Sequence, residues 1–268
     1  MRCSRRSAGA STSPGAIRCR VGSKRPKLAL DNNGKIHENL RSKSKQSRLT
    51  MQKHSIIVKR LSRFGAVPFS SAILGAELGS YSSIADKSAA LVSDGTLVRI
   101  RRGLFCVSPE VSGQRLACGL VANHLYGPSY VSLEWALARY GMIPERVAVV
   151  GSVCMKRAKS FVTPLGRFEY HKVPAAHFVH GFTSVQDENG NFFMMATPAK
   201  ALCDLVMLRP NLRMNSREAM RAFLFDDMRL SLDHDRKIDL SVVRDCITTG
   251  RKARLLEWLG EVIEDEAV

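Results

Sequence analysis

Three closely spaced arginines offer the clearest chemistry in the sequence. In the run Asp94-Gly-Thr-Leu-Val-Arg-Ile-Arg-Arg-Gly-Leu-Phe, Arg99, Arg101 and Arg102 crowd the turn between two short apolar stretches. Guanidinium groups placed this way suit phosphate oxygens, which they meet through charge-assisted hydrogen bonds. Upstream, Tyr81, Ser82, Ser83 and Lys87 fall on the outer face of a helical pattern, where such side chains can meet base edges or phosphates. A second basic group comprises Lys156, Arg157 and Lys159, with Arg167 across a turn at 163–166 and Lys172 beyond. Two readings of that group are open: a cationic face for nucleic acid or an acidic partner, or a solvated loop that serves solubility.

Other constellations point away from catalysis. Glu169-x-x-Lys172 resembles the second half of a nuclease metal motif, yet the strand-like stretch 147–153 before it holds no aspartate. His177-x-x-His180 has the residue types of a metal site but no third ligand at suitable spacing, so both read as ordinary loop histidines. Cys154 and Cys203 lie in apolar runs and read as small core residues. Neither a glycine-rich phosphate loop nor a G-x-S-x-G elbow is present. The expectation is a protein that is no enzyme and needs neither metal nor cofactor, with a nuclease at Glu169 and Lys172 as the enzymatic alternative.

The distribution of charge matters more than its total of +17. Residues 1–50 hold 13 lysines and arginines against Asp31 and Glu38, whereas residues 108–268 hold 20 against 19. The basicity is therefore concentrated at the N-terminal end, and overall charge alone does not argue for nucleic acid. Residues 1–50 carry no aromatic side chain and no sustained period, and such a segment buries too little to offset the entropy of ordering it. It reads as a disordered basic tail, an extension upstream of a true start at Met51, or an organelle transit peptide. Seven scattered cysteines without a CxxC pair argue against a disulfide framework and for reduced thiols in a cytoplasm. With 45% apolar residues and no window of about 18 consecutive apolar residues, a membrane span is not expected.

The elements that position the arginines follow from periodicity. Ile57, Leu61 and Phe64 predict a helix over 52–64, stopped by Gly65. Ser70 predicts the cap of a short second helix over 70–76, with a turn at Gly79 and Ser80. A third helix over 82–93 carries Ile84, Ser88, Leu91 and Val92 on one face and ends at Asp94-Gly95. Two strands then flank Arg101-Arg102-Gly103. Three helices followed by a basic two-stranded ribbon are the arrangement of a winged helix-turn-helix, which puts its third helix in the major groove. A protein-docking module with a solvated ribbon is the other reading. Beyond residue 107, strands near 147–153, 168–173 and 192–195 mix with helices opened by Ser132, Thr197-Pro198, Asn215-Ser216 and Asp239, the last closed by Gly250, with a final helix around 255–263.

The phrase from Asp94 to Phe105 resembles the wing of the AbiEi family, the antitoxins of type IV toxin–antitoxin systems. Pro128-Ser-Tyr-Val-Ser-Leu-Glu-Trp-Ala-Leu-Ala-Arg-Tyr-Gly-Met-Ile-Pro-Glu, Val153-Cys-Met-Lys-Arg-Ala-Lys-Ser-Phe-Val-Thr-Pro-Leu-Gly-Arg-Phe-Glu-Tyr and Met195-Ala-Thr-Pro-Ala-Lys-Ala-Leu-Cys-Asp-Leu are similar to further motifs of that family, in the same order. The third helix departs from it, with Asp86, Ser88 and Ala90 where the family carries a leucine and basic residues. The resemblance implies an α+β protein: a winged helix-turn-helix at 51–107, then a mixed α+β antitoxin domain with a helical tail at 108–268. It also implies an autorepressor that binds double-stranded DNA at inverted repeats in its own operator. Its functional partner would be a nucleotidyltransferase-type toxin, counteracted without any need for a stable complex. A plain regulator with a ligand-sensing or dimerising C-terminal domain is the alternative.

Overall fold

The computed structural model describes residues 35–79, 81–210, 212, 214–232, 238–249 and 252–266. The chain divides into two compact units, Met1–Leu49 and Thr50–Val268. The tail expected over residues 1–50 lies outside the described residues as far as residue 34, as do the expected turn residue Ser80 and helix stop Gly250. From Lys35 the backbone is helical. Helix α1 spans Lys35–Leu61, so it begins well before the expected start at residue 52, and Met51 lies inside it.

Within Thr50–Val268, α1 gives way to a single 3-10 turn, Ser62–Phe64, which Gly65 stops at φ +54°. Helix α2 (Ser71–Leu78) starts where the Ser70 hydroxyl accepts the amide of Ile73 at 3.3 Å. Helix α3 (Ile84–Ser93) starts where Ser83 accepts that of Asp86 at 3.2 Å. Both caps satisfy amides that the first helical turn leaves unpaired. After Gly95 at φ +79°, strands β2 (Leu97–Arg101) and β3 (Leu104–Val107) form an antiparallel ribbon with a bulge between Arg99 and Arg101. A two-residue strand that the pattern does not announce, β1 (Phe69–Ser70), adds to β3 and completes a sheet of order β1-β3-β2. Ile57, Leu61, Leu74, Leu78, Leu91 and Phe105 make the core of this part.

A short helix α4 (Pro109–Ser112) leads into α5 (Cys118–Leu125) and a mixed six-stranded sheet. Its strands are β4 (Ser129–Val131), β5 (Val149–Cys154), β6 (Lys159–Thr163), β7 (Gly166–Lys172), β8 (Phe182–Gln186) and β9 (Phe192–Ala196). The order is β6-β7-β5-β4-β9-β8, with β5–β7 and β4–β9 parallel and the other pairs antiparallel. Helices α6 (Leu133–Arg139), α7 (Ala175–Phe178) and α8 (Pro198–Leu208) are interleaved with these strands. The chain then runs through α9 (Arg217–Ala222), a π-helical turn at Phe223–Asp227, α10 (Leu240–Thr248) and α11 (Ala253–Glu266). The class is mixed α+β with a helical C-terminal tail. Among the described residues, no helix is long and apolar enough to cross a membrane.

Strands β6 and β8 escape the pattern because each lies at a sheet edge, where three of five residues are exposed and polarity dilutes the alternation. The ribbon also differs from expectation in what lies behind it. Phe105 and Val107 of β3 face the helical core, whereas Leu104 and Cys106, with Ile100 of β2, belong to the core of the larger sheet. Strand β3 therefore serves both cores, and residues 51–107 and 108–268 belong to one compact unit.

Candidate functional site

Helices α2 and α3 and the β2–β3 ribbon frame a groove of about 840 Å³. Its walls include Ser71, Ile84, Ser88, Arg99, Arg102 and Phe105, and none of its lining residues is acidic. The Arg99 guanidinium lies 5.5 Å from the centroid of the Phe105 ring, a cation–π contact that holds the charge at the groove without neutralising it. Ser88, in the buried stripe of α3, returns its hydroxyl to the carbonyl of Ala85 at 2.8 Å. Its hydroxyl proton is thus used locally, although the residue lines the groove.

The seven residues expected to meet DNA are divided by the structure. Arg99 and Arg102 line the groove and Ser82 is exposed. Lys87 stands 5.5 Å from the ring of Tyr81, which itself packs on the helical core. Ser83 is occupied as the cap of α3. Arg101 is turned away: its Nε donates to the carbonyl of Leu125 at 3.2 Å and its Nη1 to that of Arg102 at 3.2 Å.

The second basic group is divided as well. In β7, Phe168 and Tyr170 are buried, and strand alternation puts Lys172 on their face and Arg167, Glu169 and His171 on the other. Lys159 pairs with Tyr170 and Phe161 with Phe168, so they share the first face, where Tyr126 covers them. Lys159 Nζ lies 4.8 Å from the Phe161 centroid and 5.7 Å from that of Tyr126. Lys156 Nζ is 5.6 Å from the Tyr126 centroid and donates to the carbonyl of Gly127 at 2.5 Å. Arg167 is not part of this group, because its Nε is 2.7 Å from Glu169 Oε1. That ion pair also occupies the carboxylate of the nuclease alternative, and the residue opposite Glu169 in β5 is Gly151.

A further polar cluster is sealed in the core. Lys200 and Asp204, one turn apart on α8, and His177 on α7 all have no exposed surface. His177 is therefore not a loop histidine. Its Nε2 is 2.7 Å from Asp204 Oδ1 and its Nδ1 is 3.2 Å from the hydroxyl of Thr249. The other carboxylate oxygen accepts from Ser132 at 2.7 Å, so the serine expected to cap α6 holds Asp204 instead. Lys200 Nζ donates to the carbonyl of His177 at 2.5 Å and lies 3.5 Å from Asp204 Oδ1 and 3.6 Å from Cys246 Sγ.

Burial is the largest single influence and works against the charged imidazole, but the hydrogen bonds to Asp204 and Cys246 together with the Asp204 charge outweigh it and raise the pKa of His177 above the ordinary histidine value. The thiol of Cys203 donates to Cys246, and with His177 and Lys200 beside it Cys246 is held below the usual thiol range. Cys203 in turn keeps its proton well above that range. Thiol, imidazole and carboxylate are the residue types of a nucleophilic set. Each of these side chains is fully buried, and the cluster ties α7, α8 and α10 together. His180, by contrast, pairs with Asp245 at 3.5 Å, and among the described residues no three candidate ligands are placed to hold a metal ion.

Compared with known proteins, the chain matches no family model and no curated protein.

Proposed function

We propose that this protein is a DNA-binding transcriptional autorepressor and antitoxin of the AbiEi type. In this reading residues 51–107 act as a winged helix-turn-helix, with α3 entering the major groove and the ribbon meeting flanking phosphates. Residues 108–268 counteract a nucleotidyltransferase-type toxin and need not form a stable complex with it. The observation that carries the DNA-binding part is the acid-free groove between α3 and the ribbon, with Arg99 and Arg102 on its wall. The antitoxin part rests on the resemblance of the four sequence motifs.

The test compares the full chain with Arg99→Gln/Arg102→Gln on duplex DNA from immediately upstream of its own gene and on scrambled duplex, read by fluorescence anisotropy across a salt series. The N-terminal charge is the same in both proteins, so it drops out of the difference. Wild type prefers its own upstream DNA, and the variant loses about two units from the slope of log K against log salt, at roughly 0.9 per phosphate. Equal slopes for the two proteins would remove the groove from the model.

A further inference from the structure

We infer that the ribbon and the Lys156–Lys159 segment, which connects β5 to β6, form one continuous cationic strip that follows the phosphate backbone of the same duplex beyond the site read by α3. This rests on the DNA-binding reading above and extends it to the larger sheet. Three segments build the strip: 97–107, 125–131 and 154–163. None of them contains an aspartate or glutamate, and together they carry Arg99, Arg101, Arg102, Lys156, Arg157 and Lys159.

Direct contacts join the three segments. Arg101 reaches from the ribbon to the carbonyl of Leu125 at 3.2 Å. The next residue, Tyr126, donates its hydroxyl to the carbonyl of Arg157 at 3.1 Å, and its ring lies under the ammonium groups of Lys156 and Lys159. Arg101, through Leu125 and Tyr126, is thus the bracket between the ribbon and the β5–β6 connection, which explains why it is turned from the groove. Lys156, Arg157 and Lys159 are all exposed, and Lys172 ends β7 beside Cys154 on the Tyr126 side. The nearest acid in β7, Glu169, is on the opposite face and neutralised by Arg167.

The chemistry favours a polyphosphate backbone over base edges or an acidic helix. The aromatic rings fix the positions of Lys156 and Lys159 while leaving ammonium N–H groups free, because a cation–π contact consumes no donor. Lys156 gives one N–H to Gly127 and keeps two. A row of pre-positioned point charges without hydrogen-bond acceptors suits uniformly spaced phosphates and carries no sequence information.

The test uses the full chain and the double variant Lys156→Gln/Lys159→Gln, with duplex DNA from upstream of the gene and a scrambled duplex, in a salt series. The slope of log K against log salt falls by about two units on both duplexes, at roughly 0.9 per phosphate. The ratio of affinities for the two duplexes does not change. Lys156→Arg/Lys159→Arg restores the slope, and equal melting temperatures for all three proteins separate lost contacts from lost folding. If wild type binds and the glutamine variant keeps its slope, the strip is overturned while the groove survives, and the β5–β6 connection is then free for an acidic protein. If wild type binds neither duplex, the DNA-binding reading fails first. A changed affinity ratio would also overturn the strip, because it would mean that the lysines read sequence.

Discussion

At the scale of single residues, the sealed cluster around Asp204 makes the sharpest demand. A buried carboxylate needs partners for both oxygens, and Asp204 has them in His177, Ser132 and Lys200. Removing one partner of such a set leaves an uncompensated charge, at a cost of about 3–5 kcal/mol. The pH dependence follows from His177. Its pKa in the folded protein is raised above the ordinary value of about 6.5, so the stabilisation is fully present below that value. It is lost as pH rises through the folded value, because the unfolded chain then binds fewer protons than the native one. The stability difference between wild type and His177→Gln, from urea midpoints at constant slope, should therefore shrink as pH rises above about 6.5. A pH-independent difference would show that the imidazole is neutral in the fold. The sequence held a signal for this cluster that single motifs hide. Around α8, Ala199, Ala201, Leu202, Cys203, Leu205 and Val206 are apolar on every side, and a helix apolar all round is buried. Lys200 and Asp204 had to be buried with it and paired at i and i+4. The third member is not legible locally, because His177 comes from another helix and only the tertiary fold brings it in.

At the scale of elements, approach distances are set by what the side chains allow. Helix α5 lies against β9 at Gly119, where a Cβ would stand 2.3 Å from the Phe193 ring. Two effects oppose each other in Gly119→Ala. Alanine gains up to about 1 kcal/mol of helix propensity over glycine, while overpacking a well-filled core costs about 1–3 kcal/mol. The contact falls on the rigid ring of a buried phenylalanine, which itself packs edge-on at 6.4 Å from Trp135, so the ring has little room to move. Net destabilisation is expected, read as a lower urea midpoint with unchanged slope; a raised midpoint would show that the helix shifts freely. Helices α2 and α3 were legible in the sequence because each starts at a serine that caps it, whereas the start of α1 was not. The edge strands were not, since β6 and β8 gain their pairing from neighbours distant in sequence and show little alternation of their own. The cationic β5–β6 connection was visible as composition only. Tyr126, which gathers Lys156 and Lys159 and excludes Arg167, belongs to a different element and gave no sign in the spacing of the charges.

At the scale of the molecule, strand β3 decides how the chain holds together. Its four residues are all buried, which requires partners on both faces. Leu104-Phe-Cys-Val107 has no polar member, so the two-sided burial was written in the sequence although the resemblance implied a boundary after residue 107. Phe105 and Val107 close the helical core, while Leu104, Cys106 and Ile100 join the core beneath the six-stranded sheet. A ribbon cut from its larger partner would expose the second set, at about 1.5–3 kcal/mol for each large side chain, against a total domain stability of about 5–15 kcal/mol. Residues 50–107 alone are therefore expected to be unfolded by circular dichroism. In the intact chain, Thr50–Val268 should melt in one transition with equal calorimetric and van't Hoff enthalpies. Two resolved transitions, or a folded 50–107 fragment, would show that the parts are independent. The outcome bears on function, because a ribbon clamped between two cores presents Arg99 and Arg102 at a fixed distance from α3. On the DNA-binding reading proposed above, it would also let the larger sheet, through Arg101 and Leu125, bias the placing of the ribbon on the duplex.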